Sequence, residues 1–199
     1  MGRKRIRDIR NDELVVAAIR SIHGKGFAGV TMAEIAREAG ASAASINYYF
    51  GSKDRLMEET MRRLLSVLKV ATLARLVEAA TPRDRLIAMI EANFDDTLFT
   101  PAQCSVWIQF WANAPYAPAL SRLHRINRAR VASNIRGELR QLVPERVLDR
   151  VQTTIQAYMD GVWIEAAQGG TVPDAAAARA DARALAELLL DQSRQSLGS

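Results

Sequence analysis

Ser45, Asn47, Tyr48 and Tyr49 crowd a carboxamide and three hydroxyls into positions 45–49, directly after the two small residues Ala43 and Ala44. Such a set suits recognition of a nucleic acid better than turnover of a substrate. An asparagine amide can pair with adenine in the major groove, and serine and tyrosine hydroxyls can reach other base edges. Ala43 and Ala44 are small enough to approach thymine methyl groups. The hydroxyls of Thr31 and Tyr49 suit phosphate oxygens, whose contacts position a protein on the duplex. Asn47 taken alone fits equally well as a solvated turn residue.

A second set lies toward the C-terminus, where all three tryptophans occur. Trp107, Phe110 and Trp111 stand at i, i+3 and i+4, hence on one face of a helix. Trp163 follows Asp160 by one helical turn, and Phe94 and Tyr158 fall on the apolar stripes of their own helices. Aromatic faces attract a cation through the ring quadrupole, and a nearby carboxylate adds a Coulomb attraction. A pocket walled in this way suits a quaternary ammonium ion such as choline, with Asp95 or Asp160 as the facing carboxylate. The same stripes also fit an ordinary helical core, with both aspartates at a surface or interface. In a helix near 83–98, Ile87, Ile90, Phe94 and Leu98 share a face. Asp95 then lies about 80° and Asp96 about 180° from the centre of that face, so Asp95 can reach a cavity edge while Asp96 meets solvent.

Other chemistry finds little support. Cys104 is the one cysteine, which rules out an internal disulfide or a thiolate cluster. His23 and His124 are far apart and lack neighbouring ligands, so neither a metal nor a cofactor is expected. There is no nucleophile–base pair and no glycine-rich phosphate loop. An enzyme using Asp95 and Asp160 as acid and base and a ligand-independent helical scaffold remain the formal rivals. No apolar run approaches the ~18 residues of a membrane span, and the run Leu14–Ile19 is shorter than a secretory core, so the expectation is a soluble, cytoplasmic protein.

The charge is unevenly placed. Residues 1–55 hold ten Lys/Arg against six Asp/Glu, accounting for most of the formal net charge of +5. Arg3, Lys4, Arg5, Arg7 and Arg10 form a basic arm that either meets phosphates or serves as a solubilising tail.

The elements that must carry these residues are all helical, since no alternating β-branched run with hairpin signals occurs. A first helix is predicted over about 9–24, with Leu14, Ala17, Ala18 and Ile22 inward and Gly24/Gly26 ending it. Thr31 and Glu34 have capping-box spacing for a short helix over 31–39. Gly40 supplies the turn beyond it, and Ser42 can cap a second short helix over 42–48, with Ile46 and Phe50 one turn apart in the core. This is a helix-turn-helix, whose second helix enters a major groove. Ser52 opens a long helix to about 79. Further helices are predicted near 83–98, 101–112, 117–142, 145–168 and 174–194, with Thr81-Pro82 and Thr100-Pro101 as two starts. The helix at 145–168 is apolar on more than one side, which points to a second partner such as another subunit. The expected architecture is a three-helix DNA-binding domain over 1–52 with the arm, then a helical ligand-binding and dimerisation domain over 53–199.

Thr31, Ile35-Ala36, Gly40, Ser42, Tyr48-Tyr49-Phe50, Lys53 and Leu56 together resemble the DNA-binding module of the TetR (tetracycline-repressor-like) family, over about residues 8–60. Ala43-Ala44 stands where the family pattern often carries a glycine. The resemblance implies a dimeric one-component repressor on a pseudo-palindromic operator, with Lys53 as a phosphate contact. The helices at 145–168 and 174–194 would form the dimer interface. Asn93-Phe94-Asp95, Trp107-Ile108-Gln109-Phe110-Trp111 and Asp160-Gly161-Val162-Trp163 resemble one branch, the choline-responsive betaine-synthesis repressors. That branch implies choline as the effector and control of choline-to-glycine-betaine genes. A drug or fatty acyl compound as the effector is the alternative.

Overall fold

The computed structural model describes residues 6–169 and 172–195; Arg3, Lys4 and Arg5 of the basic arm lie outside them. Among the described residues there are helices and turns but no strand, as the absence of alternating patterns predicts. The chain divides into two compact units, and the division departs from the boundary expected at 52/53. The first comprises the N-terminal residues through Leu65 together with Pro101–His124. The second comprises Ser66–Thr100 and Arg125–Ser199.

The first unit begins with α1 (Ile6–Gly29), in which Gly26 adopts φ 71° and ψ 159°. That conformation is essentially closed to residues with a Cβ, so the break falls at Gly26 while Gly24 stays helical. α2 (Met32–Glu38) and α3 (Ala43–Phe50) follow. Leu14, Ala17, Ala18 and Ile22 of α1 are buried with Ile35, Ile46 and Phe50, which is the inward set expected. α4 (Lys53–Leu76) contributes Leu56, Met57, Met61 and Leu64 to this core and then continues into the second unit.

α6 (Pro101–Asn113) packs against α1, which is why Pro101–His124 belongs with the N-terminal helices. Its Cys104, Val106, Trp107 and Phe110 are buried, and covering side chains of that size contributes about 1.5–3 kcal/mol each. The carbonyl oxygen of the Gln109 side chain accepts a hydrogen bond from the Phe27 amide at 3.3 Å, just past the break in α1. A short 3-10 turn, Ala114–Tyr116, links α6 to α7 (Pro118–Leu139), whose first residues close this unit.

The second unit is built from the remainder of α4 and α7 with α5 (Pro82–Ala92), α8 (Glu145–Gln168) and α9 (Ala175–Gln195). Thr81 and Asp84 form a capping box at the start of α5, with Pro82 in its first turn, as the Thr-Pro pair predicts. The expected helix over 83–98 is shorter in the structure. Asn93 donates its side-chain amide to the Met89 carbonyl at 2.9 Å, and Asp95 accepts from both the amide (3.1 Å) and the hydroxyl (2.7 Å) of Thr97. These local bonds offer the backbone an alternative to the helical ladder. α5 therefore ends at Ala92, and the helical angles drawn for Phe94, Asp95, Asp96 and Leu98 do not apply. Phe94 and Leu98 are nevertheless fully buried, from a turn rather than a helix.

Candidate functional site

α2 and α3 owe their geometry to short-range chemistry. Thr31 Oγ1 accepts the Glu34 amide at 3.2 Å while the Glu34 carboxylate accepts the Thr31 amide at 2.9 Å. The same carboxylate meets Lys25 Nζ at 2.6 Å. Hydrogen bonds from Lys25 and Thr31 hold the Glu34 carboxyl at about 2, well below the usual carboxylate range. After α2, Gly40 takes φ 61°; its amide bonds Arg37 O at 3.0 Å and the Ala41 amide bonds Ala36 O at 2.8 Å. This paired closure satisfies two carbonyls at the helix end and turns the chain into α3. Ser42 Oγ then accepts the Ser45 amide at 3.1 Å.

With α3 so fixed, Ile46 and Phe50 face the core, and Ala43, Ala44, Asn47 and Tyr48 face outward. Tyr48 is 77% exposed. Positions 43, 44, 47 and 48 are the i, i+1, i+4, i+5 pattern of one helix face, presenting two methyl groups, a carboxamide and a phenol. Ser45 and Tyr49 are half-buried at the flanks, and the Tyr48 and Tyr49 rings meet edge to face at 5.5 Å. Thr31 is exposed at the start of α2. Lys53, at the first turn of α4, donates to the Ala28 carbonyl at 3.1 Å and lies 4.7 Å from the centroid of the Phe27 ring. A row of short polar and apolar groups on an exposed eight-residue helix, flanked by hydroxyls and an ammonium, can read base edges and hold phosphates.

The residues expected to hold a ligand divide between the units. In the first, Trp107 lies 5.9 Å from Phe110 and 6.0 Å from Trp111, centroid to centroid. These three share the face of α6 that the i, i+3, i+4 spacing predicts. In the second, Phe94, Phe99 and Trp163 form an edge-to-face chain with centroids 5.2 and 5.3 Å apart. Phe99 was not singled out from the sequence, because it falls one position off the stripe of the expected helix. Tyr158 is half-buried on α8, where burial first, then the charges of Asp181 and Glu165, raise its phenol above the ordinary value.

Both aspartates have cationic partners that no spacing reveals. Asp160 is bonded to Arg128 of α7, and Asp95 lies 3.5 Å from Arg75 of α4. Burial pushes the Asp95 carboxyl up, yet the Thr97 bonds and Arg75 together leave it below the ordinary value. Asp96 is exposed and lies 3.3 Å from Arg179.

Burial pushes the Cys104 thiol up to about 12, so it stays protonated. No cluster of His, Cys, Asp and Glu among the described residues could hold a metal. None of the described helices is long and apolar enough to cross a membrane.

The profile of the BetI-type transcriptional repressor C-terminal domain matches residues 82–191, and that of the bacterial regulatory proteins of the tetR family matches residues 14–60. The HTH-type transcriptional regulator BetI of Burkholderia mallei is 37% identical over 174 residues, covering 87% of this chain and 89% of the relative. That of Burkholderia cenocepacia is 37% identical over 186 residues, covering 93% and 96%. A transcriptional regulator from Saccharomonospora viridis, solved in complex with choline, has a TM-score of 0.78 at 25% identity, covering 90% of this chain and 96% of that one.

Proposed function

Since the chain belongs to the TetR family of bacterial transcriptional repressors and carries a BetI-type C-terminal domain, we propose that it is released from its operator by choline and controls genes converting choline to glycine betaine. The observation that carries the choline assignment is the likeness to the choline-bound Saccharomonospora viridis regulator along 90% of this chain. Within the second unit, Trp163 with Phe99 and Phe94 supplies aromatic rings that attract a quaternary ammonium. Asp160 or Asp95 supplies the negative charge, exchanging part of its arginine contact for the cation.

The protein acts in the cytoplasm as a homodimer, each copy placing α3 in one half-site of a pseudo-palindrome. Two exposed rows support that assembly: Ala157, Gly161 and Ile164 on α8, and Ala177, Ala180, Ala184 and Leu188 on α9. Small side chains let helices approach closely, and Ile164 and Leu188, 40% and 54% exposed, add apolar area. Choline prefers one of two dimer shapes, and α4, which contributes to both units, carries the preference to the DNA-reading helices. Ligand and operator affinities are then reciprocally coupled.

Operator affinity measured with and without choline tests the reading. Weaker operator binding in choline is expected; equal affinities with choline demonstrably bound would overturn release. A second reading, an effector other than choline, is favoured by one feature of the second unit: a cavity lined by no aromatic ring and no carboxylate.

A further inference from the structure

That cavity, bordered by α4, α5 and α7 and open to solvent, has a volume of about 290 Å3 and is lined by none of the residues proposed for the choline cation. Leu68, Met89 and Ile135 are its buried apolar walls. Lys69 and Arg130 line it from the exposed side. Among the described residues neither cation is ion-paired: Arg130 donates to the Asn127 side-chain carbonyl at 3.1 Å, whereas Arg128 and Arg136 of the same helix are held by carboxylates. The polar groups deeper in the cavity are engaged with backbone. Thr72 donates its hydroxyl to Leu68 O at 2.7 Å, and Asn93 its amide to Met89 O at 2.9 Å. A half-open apolar cavity is thus lined by two positive charges and no negative one.

We infer that this cavity binds a small amphiphilic anion, with a medium-length alkyl chain against Leu68, Met89 and Ile135 and a carboxylate head between Lys69 and Arg130. Charge complementarity carries the assignment. A carboxylate there gains charge-assisted hydrogen bonds from an ammonium and a guanidinium, while a quaternary ammonium head meets two like charges. The volume sits at the lower end of small-molecule sites, which suits an acid of about ten non-hydrogen atoms. The site goes beyond the choline reading and does not depend on it: the head group it selects has the opposite sign.

Titration calorimetry of the full-length protein with sodium octanoate and with octyltrimethylammonium chloride, both below their micelle concentrations, separates chain from head group. Octanoate is expected to bind, and the cation of equal chain length is not. The double variant K69E/R130E alters two exposed positions and is expected to lose octanoate affinity by about tenfold or more while gaining affinity for the cation. Octanoate affinity of the unaltered protein is also expected to fall as sodium chloride is raised. Absence of octanoate binding, equal binding of both amphiphiles, an unchanged affinity in the double variant, or a salt-independent isotherm would each overturn the inference. Choline titrated in parallel reports on the choline reading alone, since its failure leaves octanoate binding intact.

Discussion

Lys53 donates a hydrogen bond to the carbonyl oxygen of Ala28 at 3.1 Å, tying the first turn of α4 to the end of α1. The Phe27 ring beneath its ammonium adds a cation–π contact. The charge is therefore held in place by the fold itself. Lys53→Ala should weaken operator and random DNA alike and reduce the dependence of log K on log salt by about one per half-site. Binding isotherms at several salt concentrations measure this, and a loss confined to the operator would contradict a phosphate role.

Asn47 stands on the outward row of α3, and its carboxamide carries sequence information if it pairs with a base. Asn47→Ala should cost about 1–3 kcal/mol at one operator position and leave random DNA binding unchanged. Competition assays against operators substituted position by position would locate the loss. A uniform loss across all sequences would place Asn47 on the phosphates instead.

Thr31→Ala removes the hydroxyl half of the capping box on α2, leaves the amide bond to the Glu34 carboxylate, and should lower the stability of the first unit by about 1 kcal/mol, read from denaturant unfolding. The Glu34 carboxyl, held at about 2, predicts a pH dependence with a definite sign. Its folded-state value is depressed, so the stabilisation is fully present above the unfolded value of about 4.3. It is lost as pH falls from there through about 2. Glu34→Gln should lack that part of the acid slope, and an identical slope would show that the carboxylate contributes nothing.

Gly26 tests the break in α1. A Cβ there would meet only the Gln109 side-chain amide at 3.6 Å, an ordinary contact, so space is not the obstacle. The backbone is: φ 71° with ψ 159° costs a residue with a side chain about 1–3 kcal/mol. Gly26→Ala should lower the melting temperature accordingly, whereas Gly24→Ala, in helical conformation with open space around it, should be neutral or stabilising.

Asp160 separates the choline reading from a purely structural role. Its pair with Arg128 is substantially exposed, with side chains 35% and 46% accessible, and exposed pairs contribute about 0–1 kcal/mol. Asp160→Asn should therefore leave the melting temperature nearly unchanged while abolishing thermal stabilisation by choline. Retained stabilisation would remove Asp160 from the ligand site and leave Asp95 as the carboxylate to test.

The turn between Asn93 and Thr100 shows where sequence periodicity misleads. Ile87, Ile90, Phe94 and Leu98 have helical spacing, and all four are buried. The period identifies which side chains go inward, but Asn93 and Asp95 capture backbone groups and end the helix first. Phe99, which helical angles leave off the apolar face, becomes the ring that meets Trp163.

The DNA-reading module was legible residue by residue, because each of its devices closes within a few positions of chain. The Thr31–Glu34 box, the left-handed Gly40, the Ser42 cap and the outward row of α3 are fixed by bonds spanning three to five residues, for which sequence spacing is a sufficient guide. What surrounds the residues expected to face a ligand was not legible. Asp160 meets Arg128 across 32 positions, the Arg75–Asp95 pair joins two different helices, and the cavity of Leu68, Met89 and Ile135 draws on α4, α5 and α7. Such pairings depend on how whole helices pack, and packing is set by the sum of many weak contacts rather than by any local spacing. The sequence alone determined how this protein turns a short helix toward DNA; the tertiary structure alone decided which charges neutralise its aspartates and which cavity is left lined by two cations.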